Sequence, residues 1–345
     1  MILLNELLFF AIFTIIFSYF CIFYFKKKKI LLDKVNFSEH KKLLIPNLNF
    51  PPLCGGVIIF VCSLIFFNEL FLLKIFSFAI LVVGILSDAN KINSPKTRIL
   101  LQFLIILFYI FLVDLNIKDL RVEYLNNLLS IKYISIIFTA FCFLILINGT
   151  NFLDGLNTLV VGYYILVLSI LILVSSKFDL ILNQNIFFLL IILIVIYFLN
   201  FFEKIYLGDS GSYLLSFFVA FFVLDFSYNN SLVSPYFIGL LLWYPAFENL
   251  FSILRRSSFK ERVYKADQLH LHQLIYKYFV KKNFFNKKFV NSLSANIINI
   301  FSFCVFILFY NNLLKTKILV LIVIFNLIVY LTTYFLIKKK LNHLK

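Results

Sequence analysis

Three short polar segments interrupt an otherwise apolar chain, each with an aspartate among small or amide residues. They read Ser87-Asp88-Ala89-Asn90-Lys91, Asn148-Gly149-Thr150-Asn151-Phe152-Leu153-Asp154-Gly155 and Gly208-Asp209-Ser210-Gly211-Ser212. In the third, Gly208 and Gly211 allow a tight turn whose N–H groups precede a helix beginning near Tyr213, the makings of an anion cradle. Asp209 inside such a cradle would repel a bare anion. A divalent cation between the carboxylate and a phosphate removes that conflict, and Mg²⁺ commonly takes such positions. A plain helix cap by Asp209, Ser212 or Asp154 is the simpler alternative for any one segment. Recurrence across three segments favours the chemistry over the caps.

A fourth polar region, the basic loop 255–291, opens with Arg255-Arg256 and contains Asp267-Gln268-Leu269-His270-Leu271-His272-Gln273. Side chains two residues apart diverge by about 200° on a helix and share a side on an extended chain. His270 and His272 can therefore act on one ligand only from a turn or an extended stretch. Zinc is disfavoured, because His40 and His343 are remote in sequence and no cysteine is near. Most of the ten basic residues in this loop are expected to mark its side of a membrane, with Lys281, Lys282, Lys287 and Lys288 touching lipid headgroups. Upstream, Glu248 precedes Leu254 by six residues, about 9 Å along a helix, and Pro245 should kink that helix. A kinked span with an acid near its inward end suggests a groove wall open to headgroups.

Composition dictates the elements that must position these residues. The chain has 345 residues, 62% hydrophobic and 19% aromatic, with a mean hydropathy of +0.99. A soluble fold is excluded, and the long apolar runs also exclude disorder, a collagen-like repeat and a disulfide scaffold. The 32 Lys and Arg against 16 Asp and Glu leave +16, which in a chain of apolar runs marks membrane sidedness and contact with membrane lipids; no nucleic acid is implied. Cys21, Cys54, Cys62, Cys142 and Cys304 show no CxxC spacing and are expected to be small buried hydrophobes. The first apolar run is followed by Lys26 to Lys29 and lacks a small-residue cleavage site, so it is expected to be a retained anchor.

A bilayer core needs about 20 helical residues per crossing. Segments near that length fall at 2–25, 53–68, 71–87, 99–114, 131–147, 157–175, 186–202, 213–227, 232–254, 292–311 and 317–337. The reading is an all-α polytopic integral membrane protein with about 11 transmembrane helices, a single multi-pass domain over residues 1–345. An odd number of spans puts the termini on opposite sides. With the N-terminus outside, 25 basic residues fall on inward segments and 7 on outward ones, which gives N-out/C-in. All three aspartate segments and the His-x-His loop then share the inward face. Asp225 and Glu6 lie toward outward ends.

These motifs, in this order, resemble the polyprenyl-phosphate N-acetylhexosamine-1-phosphate transferases. Pro52-Leu53-Cys54-Gly55-Gly56 is similar to that family's Pro-x-x-Gly-Gly element, and Gly84-Ile85-Leu86-Ser87-Asp88 with Ser94-Pro95 and Arg98 to its Asp-Asp element. Asn148, Asn151, Asp154, Gly155 and Leu156 match Asn-x-x-Asn-x-x-Asp-Gly-Leu; Gly208 to Ser212 match Gly-Asp-x-Gly-Ser; Asp267 with His270-Leu271-His272 matches the His-x-His loop. The chain departs from the pattern at Ser87, which stands for the first of two aspartates, at Asn157, which stands for a second Asp after Asp-Gly, and at Gln268 and Gln273, which stand for an Arg and a third His. The His-Leu-His-Gln ending resembles the N-acetylhexosamine branch more than the muramyl-pentapeptide branch.

The resemblance implies a polytopic bacterial inner-membrane enzyme with its active site on the cytoplasmic face. It implies that a polyprenyl phosphate, usually undecaprenyl phosphate, attacks the β-phosphorus of a UDP-N-acetylhexosamine and releases UMP, initiating a cell-surface glycan. Mg²⁺ is the implied cofactor, with Mn²⁺ as its substitute. Asp88, Asp154 and Asp209 carry over as catalytic carboxylates: Asp209 as the principal metal ligand, Asn151 and Asp154 on metal or diphosphate, and Asp88 orienting or deprotonating the lipid phosphate. His270 and His272 are expected on the nucleotide diphosphate; Asn148, Gly208, Gly211, Ser212 and Arg98 complete the binding set, and Glu248 is a weaker candidate. Direct attack and a covalent Asp intermediate both remain open, and a homodimer is an allowed assembly. The rivals are a transporter or flippase, which would hold its substrate near the bilayer midplane, and a family member that binds without turning over.

Overall fold

The computed structural model describes residues 2–32, 51–258, 269–286 and 289–343. Asp267, Gln268, Lys287, Lys288 and the basic residues between 33 and 50 lie outside the described residues. In chain order the helices are α1 (Ile2–Lys28), α2 (Gly55–Phe66), α3 (Phe71–Asp88), α4 (Pro95–Val113), α5 (Glu123–Leu129), α6 (Lys132–Leu153) and α7 (Leu159–Phe178). There follow α8 (Asn185–Phe201), α9 (Gly208–Asn229), α10 (Pro235–Leu241), α11 (Trp243–Ser258), α12 (Leu271–Lys282), α13 (Val290–Phe309) and α14 (Thr316–His343). No sheet forms among the described residues; two isolated β-bridges stand in its place.

The protein is an all-α polytopic membrane protein. Among the described residues eight helices are long and apolar enough to cross a membrane, namely α1, α3, α4, α6, α7, α9, α13 and α14. α2 and α8 are apolar but shorter, and α10 with α11 meets the test only jointly, as a span bent by 75°. Each of the eleven apolar segments marked in the sequence coincides with one of these elements. Helices suit this solvent because hydrocarbon offers no partner to backbone N–H and C=O groups, which must be satisfied within the segment.

Burial sorts the helices into a centre and a periphery. From Ser210 to Phe226 every residue of α9 except Asp225 is buried, enclosed mainly by α3, α6 and α2. α1 instead turns Phe9, Ile16 and Phe23 outward, one heptad apart, and α14 exposes Leu321, Ile328 and Phe335 in the same way. Apolar stripes of this kind belong against lipid. Cys21, Cys54 and Cys62 are buried as expected, whereas Cys142 is half-buried and Cys304 exposed, because Cys304 lies beside Phe303 on the exposed side of α13.

Two helices meet α9 at its first turn with no room for side chains between them, and α6 meets α11 in the same way. A Cβ on Gly84 of α3 would lie 2.3 Å from Ser210 Cα, and one on Gly56 of α2 would lie 2.6 Å from the Ser210 carbonyl carbon. On α6 a Cβ at Gly149 would lie 2.0 Å from the carbonyl oxygen of Pro245 in α11. At the opposite end, Arg121 ties the loops together by donating to the carbonyl oxygens of Leu232 at 2.6 Å and Leu314 at 3.1 Å and to Thr316 Oγ1 at 2.7 Å.

The break near Pro245 comes earlier than a simple proline kink would put it. α10 stops at Leu241 and α11 begins at Trp243, so Pro245 sits in the first turn of α11. Pro245 cannot donate to the carbonyl four residues back, that of Leu241, and its ring crowds that carbonyl, while in a first turn its missing N–H costs nothing.

Gly84→Ala should lower the unfolding midpoint of the detergent-solubilised protein by an amount equivalent to about 1–3 kcal/mol of overpacking. Gly239→Ala, in α10 with nothing within 4 Å of the added Cβ, should be neutral or slightly stabilising, since alanine is preferred to glycine in helices by about 1 kcal/mol. Thermal unfolding of the two variants, followed by circular dichroism, checks the contrast.

Candidate active site

The turn that carries Asp209 is built before Asp209 is reached. Leu53 pairs with Tyr206 in a parallel bridge; Tyr206 N donates to Pro52 O at 3.1 Å and Gly55 N to Tyr206 O at 3.2 Å. The Pro52-to-Gly56 element thus fixes the chain just ahead of α9. Gly208 then adopts φ +69, and a Cβ there would stand 2.8 Å from Asp88 Oδ2. Glycine is needed both for the left-handed backbone and for the approach of the carboxylate. Asp88 Oδ1 accepts from Asp209 N at 2.8 Å and Oδ2 from Ser210 N at 3.0 Å. The cradle expected at Gly208–Gly211 exists, and the anion it grips is Asp88.

Asp209, on the first turn of α9, gathers donors from three other helices. Its Oδ2 accepts from Arg98 Nη1 at 2.8 Å, from Ser87 Oγ, and from Tyr213 OH at 3.4 Å; its Oδ1 accepts from Asn151 Nδ2 at 2.8 Å. Arg98 Nη1 also donates to Ser87 Oγ at 2.8 Å, and Asn151 Nδ2 to Ser212 Oγ at 3.2 Å. Local sequence explains the arginine's position. Ser94 caps α4, Pro95 fills its first helical position, and Arg98 follows one turn later. The Arg98 and Asp209 side chains are 25% and 26% exposed, so the pair remains reachable from outside the bundle.

Asn148 is not drawn into this cluster. Its Nδ2 donates to Leu144 O at 2.8 Å and to Gln102 Oε1 at 3.4 Å. Gln102, fully buried on α4, was missed in the sequence. The usable signal was its place four residues after Arg98, on the same face of an otherwise apolar helix.

Asp154 is the C-cap of α6, one turn past Asn151, with its N–H bonded to Thr150 O at 3.1 Å. The turn that follows is braced by amides from distant helices. Asn157 N donates to Asn291 Oδ1 at 2.8 Å, Thr158 N to Asn200 Oδ1, and Asn299 Nδ2 to Thr158 O at 3.2 Å. Thr158 is held at φ 69 by these contacts.

The histidines sit at the junction the sequence required. His270 is extended (φ -70, ψ 148) and is the N-cap of α12, so its ring and that of His272 stack, with centroids 5.5 Å apart and planes 15° from parallel. They border the same turn: Phe152 lies 5.3 Å from the His270 ring, and a Cβ on Gly155 would lie 3.1 Å from His272 Nε2. Gln273, which stands for a third histidine, has a structural task, its Oε1 accepting from His270 N at 3.4 Å. Arg255 and Arg256 are buried, at 8% and 6% exposure, whereas Lys281 and Lys282, expected at the headgroups, are exposed.

Among the described residues no three His, Cys, Asp or Glu side chains come together at metal-binding spacing. Asp88, Asp154 and Asp209 therefore do not form a ready-made three-carboxylate cage. The donors present still suit Mg²⁺ in kind: Asp209, the Asn151 amide in contact with it and Ser212 are hard oxygen-bearing groups, and Mg²⁺ is usually held by one or two carboxylates together with substrate phosphates and water.

Asp88→Asn replaces one acceptor oxygen with an NH₂ that faces a backbone N–H. Loss of this cap should destabilise the protein by about 1–2 kcal/mol, read as a lowered unfolding midpoint in detergent, whereas Asn148→Ala, outside the Asp209 cluster, should shift it less.

Comparison with known proteins agrees with this geometry. Residues 70–227, which contain Asp88, Arg98, Asn151, Asp154 and Asp209, match the model of glycosyl transferase family 4. A Bacillus subtilis (strain 168) protein named probable undecaprenyl-phosphate N-acetylglucosaminyl 1-phosphate transferase is 27% identical over 207 residues, 57% of this chain and 55% of that protein. Phospho-N-acetylmuramoyl-pentapeptide-transferases are similar too: that of Wolbachia pipientis wMel is 28% identical over 189 residues (49% of this chain, 58% of the relative). That of Dictyoglomus thermophilum is 26% identical over 179 residues (49% and 57%). The chain thus spans little more than half the length of the curated relatives it matches. The segment 70–227, which holds the interlocked aspartate turns, is thus similar to glycosyl transferase family 4.

Proposed function

We propose that the protein moves N-acetylhexosamine-1-phosphate from a UDP-sugar to a polyprenyl phosphate such as undecaprenyl phosphate, releasing UMP and starting a cell-surface glycan. The observation that carries this reading is the meeting of Ser87, Arg98, Asn151 and Asp209, from four helices, at one end of the bundle. The names of the relatives support it: each describes transfer of a phosphorylated amino sugar. The N-acetylhexosamine branch is favoured by the His270-Leu271-His272-Gln273 ending. The excess of basic residues on the segments that share this end supports an N-out/C-in arrangement in a bacterial inner membrane, with the site on the cytoplasmic face.

In this reading an oxygen of the lipid phosphate attacks the β-phosphorus of the UDP-sugar, and the bond between that phosphorus and the oxygen of the α-phosphate breaks as UMP leaves. Both reactants are anionic, so the chain's main task is to set positive charge and donors where charge gathers. Arg98 supplies a fixed cation beside Asp209. Asp209, with Asn151 and Asp154, would hold Mg²⁺, which when bound neutralises charge on the phosphates. Asp88 contributes by fixing the turn, since both its oxygens are taken by backbone N–H groups. Ser87, a hydroxyl rather than a carboxylate, links Arg98 to Asp209 and so serves in alignment. His270 and His272 are assigned to the nucleotide phosphates, beside the Gly155 turn.

A transporter would be expected to gather polar groups near the middle of its spans; here they gather at helix ends. Purified protein given UDP-N-acetylhexosamine, polyprenyl phosphate and Mg²⁺ should release UMP. Chelation should abolish the release, and Asp209→Asn should reduce it by about 10²-fold or more, the scale of losing one preorganised electrostatic group. Silence of the wild type across several UDP-N-acetylhexosamines would hand the protein to the transporter or binding-only reading.

A further inference from the structure

Glu248 is a carboxylate buried to 1% exposure in α11, the helix that follows the 75° break. Three groups from two other elements, the start of α12 and α14, converge on it. His270 Nδ1 lies 3.0 Å from Oε1, Leu271 N donates to the same oxygen at 3.3 Å, and Tyr330 OH of α14 donates to Oε2 at 2.8 Å. Burying a carboxylate in a span is costly unless donors meet it, and here both oxygens are met. A carboxylate only accepts, so the Nδ1 facing it carries the proton, and the tautomer and direction of Nε2 are fixed by that bond. Glu248 thus decides what His270 presents toward the Asp154-Gly155 turn, against which the stacked rings rest. Asn249, the next residue, donates to Ile145 O at 3.0 Å on α6, the helix that ends at that turn.

We infer that Glu248, braced by Tyr330, is a positioning residue for the nucleotide-phosphate site: it holds His270 as the Nδ1–H tautomer and aligns the His270–His272 pair with the turn after Asp154. The inference rests on the assignment of these histidines to the nucleotide phosphates of a UDP-sugar. Glu248 itself touches no substrate in this scheme. It acts through the imidazole, much as the outer partner of a ligating histidine fixes its ring.

The test uses the full chain labelled with ¹⁵N in its histidine rings. The sequence has four histidines, so a His270→Asn variant assigns the resonance of interest. Wild type should show His270 protonated at Nδ1, and Glu248→Gln, whose carbonyl oxygen still accepts, should keep that tautomer and bind UDP within about threefold of wild type. Glu248→Ala should show mixed tautomers and lose about tenfold in UDP affinity, the lower end of what outer-partner loss costs. Tyr330→Phe, a gentler change, should fall between them and still reports on the bracing if Glu248→Ala does not fold. Finding His270 protonated at Nε2 in the wild type overturns the inference, as does unchanged tautomer and UDP affinity in both Glu248→Ala and Tyr330→Phe. Failure of the wild type to bind UDP, with the Nδ1–H tautomer present, would instead overturn the nucleotide assignment on which the inference rests.

Discussion

A carboxylate placed against the N-terminus of the central helix is the interaction on which the rest of this site depends. The first N–H groups of a helix lack partners within it and carry the positive end of its dipole. Asp88 answers both needs at once by accepting from Asp209 and Ser210. Its reach is possible only because residue 208 is a glycine and because α3 lies against α9 at Gly84. With the backbone of Asp209 fixed from one side, its side chain is free to be addressed from the other by Arg98, Ser87 and Asn151. One aspartate thus supports the structure so that its neighbour can present chemistry.

The bundle supplies this cluster from elements that differ in their surroundings. α9 is enclosed by protein along most of its length, whereas α1, α4 and α14 turn large apolar side chains outward. Lipid contact and site construction are therefore divided between helices. α11 joins the two regions. After the break at Leu242 it packs on α6, which carries Asn151, and through Glu248 it reaches the histidine junction and α14. The two halves of the site, aspartate turns and histidine pair, are connected through α6 and the turn after it.

Much of this was legible in the sequence. Apolar run length marked the helices long or apolar enough to cross a membrane, though not α5 or α12, and the small residues around Asp88, Asp154 and Asp209 marked the turns, because tight backbone approach leaves few choices of residue. The direction of individual side chains was not legible. The sequence allows a carboxylate beside two glycines to hold a cation or to cap a helix, and packing assigns these roles separately, the cap to Asp88 and the exposed acid to Asp209. Spacing within one segment could flag Gln102 and Glu248 but not display their roles, because their partners lie many residues away. The early break before Pro245 was obscured for a related reason: a proline marks the carbonyl four residues upstream as the weak point, and where a helix restarts depends on what it packs against.

The braces behind the Asp154 turn have one property in common: Asn157, Asn200, Asn291 and Asn299 hold it through backbone and amide groups that carry no net charge at any physiological pH. In the proposed reaction between two phosphate-bearing molecules, negative charge arrives and departs with every cycle. Ionised struts would be pushed and pulled by that traffic. Amide struts feel it only as dipoles, so the scaffold of the turn keeps its shape while the arginine, the carboxylates and the imidazoles respond.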